Sequence, residues 1–128
     1  MTSVKYIELK SGFSDNGPAW IARVAHSKSG RTIYFNGMSL KRASAPQGNY
    51  IDPTTCAEYW VSGVKKRGTN RHWAGSGKVL VEAAALPDVL RALGTDTLDP
   101  HLFAVTHGIR PTTAAEFVLK ENVSLRRK

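Results

Sequence analysis

Through the first eighty residues, apolar positions tend to alternate with polar ones, the period of a strand with one buried face. "VKYIELK" (4–10) sets Val4 and Tyr6 against Lys5, Glu8 and Lys10, with Ile7 out of step. "AWIARVAHS" (19–27) alternates imperfectly through Trp20 and Ala22 or Ile21 and Val24, and "RTIYFNG" (31–37) is β-branched and aromatic up to an Asn-Gly pair. Asn36 and Gly37 both accept the positive φ of a two-residue hairpin turn, which predicts that "TIYF" and "MSLKR" pair across it. Further turns are expected at 11–18, 27–30 and 44–49, followed by strand patterns in "AEYWVSGVKK" (57–66) and "KVLVEA" (78–83).

About five to six short antiparallel strands in this space suit a small twisted β-barrel or sheet of SH3-like or OB-like type. The last third changes period. "LPDVLRALG" (86–94) has Leu86, Val89, Leu90 and Leu93 on one helical face, Pro87 suited to a first turn and Gly94 as a stop. A second helix is predicted in "TTAAEFVLKENV" (112–123), where Thr113 and Glu116 fit a capping box. One helical turn is expected around "PHLFAV" (100–105). The predicted class is α+β: a basic, β-rich domain over 1–95 and a helical C-terminal extension over 96–128 packed on it. No fixed-period repeat or heptad is evident.

Composition changes this picture mainly through charge. The 128 residues carry a formal net charge of +8. Residues 1–60 hold seven Lys/Arg and four Asp/Glu, residues 61–78 hold five and none, and residues 79–128 hold six of each. The excess lies wholly in the first 78 residues, as expected of a surface that meets a polyanion. A hydrophobic fraction of 41% makes a folded core the expectation. The one cysteine, Cys56, has no disulfide partner and no companion for a cysteine metal site. That points to a reducing, cytoplasmic setting. No apolar run is long enough to span a membrane, so no membrane association is expected.

The densest stretch of candidate chemistry is "GVKKRGTNRHWAGSGK" (63–78), read as a basic aromatic hairpin. Its "GSGK" is not a phosphate-binding loop: the earlier glycine position is His72, and Val79 follows the lysine where a hydroxyl is required. Lys65, Lys66, Arg67, Arg71 and Lys78 can instead grip phosphates, while His72 and Trp73 offer planar faces for bases. Tyr59 and Trp60 lie nearby on a strand, where one of them must face inward. The leading expectation is a non-catalytic module that binds nucleic acid through this stretch.

The alternative is a protein-interaction module, with Tyr34, Tyr59, Trp60 and Trp73 lining a groove for an acidic protein or peptide partner. Asp96, Asp99, Glu116 and Glu121 of the tail could themselves cover the basic face. A nuclease using His72 with Lys66 or Arg71 ranks behind both. His26, His72, His101 and His107 are dispersed, and no metal or cofactor is expected. Cys56 is expected to be a half-buried small residue, with no glycine elbow or neighbouring base to make it a nucleophile.

Three words in fixed order, "SDNGPAWI", "SGRTIYFNG" and "GVKK" with "RHWAGSGK", resemble those of a family of small bacterial proteins, over residues 5 to about 94. Similar proteins usually carry glycine at the position of Cys56, which implies that no thiol is needed there. Some members are named after a thiamine-diphosphate synthase of isoprenoid biosynthesis. Such an enzyme requires a much longer chain and a cofactor-binding arrangement with no counterpart here. The resemblance implies a bacterial cytosolic domain.

Overall fold

The computed structural model describes residues 2–12, 17–64 and 77–110. Six strands follow one another: β1 (Thr2–Leu9), β2 (Ala19–His26), β3 (Thr32–Phe35), β4 (Met38–Arg42), β5 (Tyr50–Ile51) and β6 (Glu58–Ser62). Each pairs antiparallel with the next, and β6 pairs antiparallel with β1, so the six close into a barrel. The strands run around it in chain order. This is an up-and-down arrangement and not the Greek key of an OB-type barrel.

The Asn36–Gly37 hairpin forms as the sequence predicts. Both residues have positive φ, 49° and 79°, and Phe35 pairs with Met38 directly across the turn. Closure gives the barrel two ends. The mouth gathers the β2–β3 turn, the β4–β5 connection and the C-terminal end of β6. The base gathers the β1–β2 connection, the β3–β4 turn and the β5–β6 turn.

Inside the barrel, Ile7, Ala22, Val24, Ile33, Phe35 and Leu40 form a core with Tyr50, Tyr59 and Val61. Trp20 is half-buried against it, its ring centroid 5.4 Å from that of Phe35. A second core lies outside the wall. The next strand, β7 (Val79–Glu82), pairs parallel with β2 through Trp20–Leu80 and Ile21–Val81. β8 (Phe103–Thr106) in turn pairs parallel with β7. Between these two strands lie a single 3₁₀ turn (Ala83–Ala85) and the helix α1 (Leu86–Leu93). Tyr6, Ala19, Ile21, Val79, Val81, Ala85, Val89 and Phe103 bury one another there.

β1 and β2 therefore face apolar surroundings on both sides, and this is why their polarity patterns fail to alternate. Tyr6 belongs to the outer core and Ile7 to the barrel, so the residue out of step in the sequence is the one that points inward.

α1 matches the predicted helix. Pro87 stands in its first turn, Gly94 closes it with φ 69°, Val89 is buried, and Leu86 and Leu93 pack on the second core. Two expectations for the last third change. A turn does form at "DPHL", where the carbonyl of Asp99 accepts from the amides of Leu102 and Phe103, but the chain then extends into β8 instead of coiling. The part of 96–128 that is described is thus a strand of the sheet. The second helix expected at 112–123 lies outside the described residues.

β2 uses one edge twice: Ala25 and His26 pair with β3, while Trp20 and Ile21 pair with β7. At the resulting fork the amide of Arg23 has neither strand opposite it. The buried Glu82 supplies the missing acceptor, its Oε1 lying 3.1 Å from that nitrogen. The Arg23 guanidinium reaches on to Asp88 of α1, which also holds Arg91 at 3.0 Å. Beyond β8 the chain returns to the barrel: Ile109 packs against the inner core, and the Arg110 amide donates to Asn36 Oδ1 at 2.8 Å.

A basic groove at the barrel mouth

A two-residue turn at 36–37 sets every pairing of its hairpin. Phe35 stands opposite Met38, Ile33 opposite Leu40, and one step past the ladder Arg31 stands opposite Arg42. The Arg42 amide donates to the Arg31 carbonyl at 2.8 Å, which fixes that last juxtaposition. Alternation places both arginines on the face of Ile33 and Leu40, but at the mouth, where they leave the core and are exposed. They line an open groove of about 720 Å³ with Ser29, Ser44, Gly48 and Asn49. Neither guanidinium forms an ion pair among the described residues. Lys28 and Lys41 stand on the same two hairpin segments, Lys41 Nζ donating to Thr32 Oγ1 at 3.1 Å.

The groove walls are tied down by hydrogen bonds that any occupant would find already made. On one side the Tyr50 hydroxyl donates to the Gly30 carbonyl at 2.7 Å, and Ser29 Oγ accepts from the Arg31 amide at 3.3 Å. On the other, Asn49 stands in for a strand residue. Its side chain donates to the Val61 carbonyl at 2.8 Å and accepts from the Val61 amide at 2.7 Å. Glu58 Oε1 accepts from the amides of Gln47 and Gly48 at 2.8 and 3.2 Å. Gly48 lies so close to β6 that a Cβ there would sit 2.5 Å from the Tyr59 carbonyl oxygen, so only glycine fits.

The residues expected to bind nucleic acid meet this site only in part. Lys65, Lys66, Arg67, Arg71, His72 and Trp73 lie outside the described residues. Lys78 is exposed, immediately before β7, whose start lies beside the base end of β2 and away from the groove. Residues 65–76 of the hairpin expected over 63–78 lie outside the described residues, and the strands that flank it, β6 and β7, do not pair with each other. β6 neighbours β1 and β5, whereas β7 neighbours β2 and β8, so the segment links two strands that are not paired with each other. It departs from the mouth: Gly63 and Val64 follow the mouth end of β6, and Val64 packs on the outer core.

Of the nearby aromatic pair, Tyr59 points into the barrel and is buried, while Trp60 faces out at 41% exposure. Tyr34 is buried as well, at 3%, so the aromatic groove expected from Tyr34, Tyr59, Trp60 and Trp73 does not assemble from the members that are described. Asp96 and Asp99 are exposed, and Asp99 Oδ1 accepts from the His101 amide at 2.9 Å.

Two further clusters of polar groups have structural settings. On the outer face of β1 the buried Glu8 accepts a 2.5 Å hydrogen bond from Tyr6 Oη and lies 3.0 Å from Lys10 Nζ. In the β5–β6 turn Asp52 Oδ1 accepts from the Thr54 amide at 3.0 Å. Burial, reinforced by the Asp52 charge, raises the Tyr59 phenol above its usual 10.0. Cys56 closes that turn with φ 62° and is exposed instead of half-buried. The left-handed backbone is one that glycine occupies without strain. Among the described residues no group of His, Cys, Asp and Glu is placed to hold a metal, and no helix is long and apolar enough to cross a membrane.

Arg31 and Arg42 were not singled out by composition, because with Lys28 and Lys41 they form two sparse pairs of bases, far less dense than the five in 63–78. The signal that finds them is the turn: once Asn36–Gly37 is accepted, residues 31 and 42 must oppose each other. Comparison with protein-family models, curated proteins and solved structures finds no match.

Proposed function

We propose that the protein is a non-catalytic module that binds single-stranded nucleic acid across the barrel mouth. One observation carries this reading: Arg31 and Arg42 oppose each other in an open groove without an acidic partner among the described residues, at the end of the barrel from which the basic 63–78 segment departs. Phosphates supply the missing counter-charge. Lys65, Lys66, Arg67 and Arg71 extend the same positive potential along the chain, and Trp73 together with the exposed Trp60 supplies the faces on which bases stack.

The test is fluorescence anisotropy with labelled single-stranded RNA, single-stranded DNA and duplex DNA at low and near-physiological salt. The expected result is preference for a single strand, with affinity that falls steeply as salt rises and collapses when Lys65, Lys66, Arg67 and Arg71 are neutralised together. Unchanged affinity in that variant overturns the role of the segment. Binding lost at physiological salt for every ligand overturns the reading and moves attention to protein partners. The exposed Trp60 and Val105, the latter on β8, favour that second reading.

A further inference from the structure

We infer that the Arg31–Arg42 groove is a seat for one phosphate group of a nucleotide chain, separable from the basic segment that follows β6. The inference rests on the nucleic-acid reading for the identity of the chain, but the seat itself is built from described residues.

Two like charges in register across an antiparallel pair repel each other. On the outer face, by contrast, Arg23 and Arg91 share Asp88. At the mouth no carboxylate of the described residues does this. Glu58, which holds the 43–49 connection, spends one oxygen on the amides of Gln47 and Gly48. A phosphate between the guanidinium groups would satisfy both, because each presents a planar fork of N–H donors matched to tetrahedral oxygens. The hydroxyls of Ser29 and Ser44 line the same space.

The loops on either side are held by Tyr50, Asn49 and Glu58 before any ligand arrives, so little ordering remains for binding to bring about. At about 720 Å³ the groove is much larger than a bare oxyanion. It therefore accommodates the sugar and base attached to the phosphate, which is the space a nucleotide chain needs.

The experiment uses the full chain and inorganic phosphate as the probe, with ionic strength held constant by chloride. Phosphate is expected to raise the Tm of the unmodified protein by roughly 3 °C once it exceeds its Kd several-fold. The Arg31→Gln/Arg42→Gln variant should lose that response, and in low-salt chloride it should melt at or above the unmodified protein because the repulsion is gone. Arg42→Lys keeps the charge and loses the fork, so its response should be reduced and not abolished. Arg91→Gln, which removes a guanidinium held by Asp88 on α1 and not among the residues lining the groove, should respond like the unmodified protein.

An equal phosphate response in the double glutamine variant, or none in the unmodified protein, overturns the seat. Displacement of a labelled single-stranded oligonucleotide by phosphate assigns the seat to a nucleic-acid backbone. A phosphate response without any oligonucleotide binding upholds the seat and removes the nucleic-acid reading, leaving a free phosphoryl compound as the occupant.

Discussion

The two ends of the barrel are made from the same materials, short loops between short strands, yet they are finished differently. At the base, polar groups are turned to structural ends. Asp52 closes its own turn, Asn36 takes the Arg110 amide, and Ile109 packs over the inner core. At the mouth, backbone groups are equally well satisfied, but the guanidinium groups of Arg31 and Arg42 have no ion-pair partner among the described residues above a fixed floor. Binding capacity follows from charge that the fold leaves over. A turn whose charges are all consumed by its own fold has nothing left for a ligand, whereas a rigid loop with unspent charge does.

The sharpest way to break this comparison is to remove charge at each end and measure binding. Arg31→Ala with Arg42→Ala should weaken oligonucleotide affinity by about tenfold or more and lower the slope of log affinity against log salt by about two. Arg110→Ala at the base should leave both unchanged. A comparable loss at the base would dissolve the distinction between the ends.

Next in size is the floor of the groove. Gly48→Ala forces a methyl against the Tyr59 backbone and should cost about 1–3 kcal/mol in urea unfolding. It should also weaken binding, because the 43–49 connection must shift. At the base, Ile109→Ala should cost roughly 1–2 kcal/mol, below the range for a fully buried isoleucine, with binding intact.

Smaller still is a pH effect confined to the base. The Tyr59 phenol is raised above 10.0 by burial first and the Asp52 charge second, so the folded state holds that proton more tightly than the unfolded chain. Its contribution is complete below pH 10.0 and declines as the pH rises through 10.0 toward the folded value. The stability difference between the unmodified protein and Tyr59→Phe should therefore shrink from pH 8 to pH 10.5, measured by denaturant unfolding. A difference that stays constant across this range would contradict the assignment. Smallest is Cys56→Gly, expected to stabilise by about 0.5 kcal/mol as relief of the left-handed backbone outweighs the added freedom of the unfolded chain.

What the sequence made legible was the part with local causes. Asn36–Gly37 specifies its turn through its own backbone preferences, and "LPDVLRALG" carries its start, its apolar face and its stop within nine residues. The register of that turn also contained the groove, in the opposition of residues 31 and 42, although charge counting drew the eye to 63–78 instead. Features with distant causes were not legible. Ile7 broke the alternation of β1 because a second core covers the outside of the wall, and that core is made by β7, α1 and β8. β8 was misread because Asp99 and Pro100 supply the start of a helix that four residues of strand then replace. A parallel pairing such as β2 with β7 leaves no mark in either strand alone.

The double use of β2 has a consequence for how the molecule opens. β2 is held by β1 on one edge and by β3 and β7 in succession on the other, and its side chains are divided between both cores. Neither core can be exposed without freeing that strand, so the two should melt as one cooperative unit. In native-state hydrogen exchange, amides of the central residues of β2, such as Ile21, Ala22 and Val24, should be released only through global unfolding. Amides of the β4–β5 connection should exchange through smaller openings. The groove would then sit at the rim of the slowest-exchanging part of the protein, able to breathe around a ligand while the strand behind it stays shut.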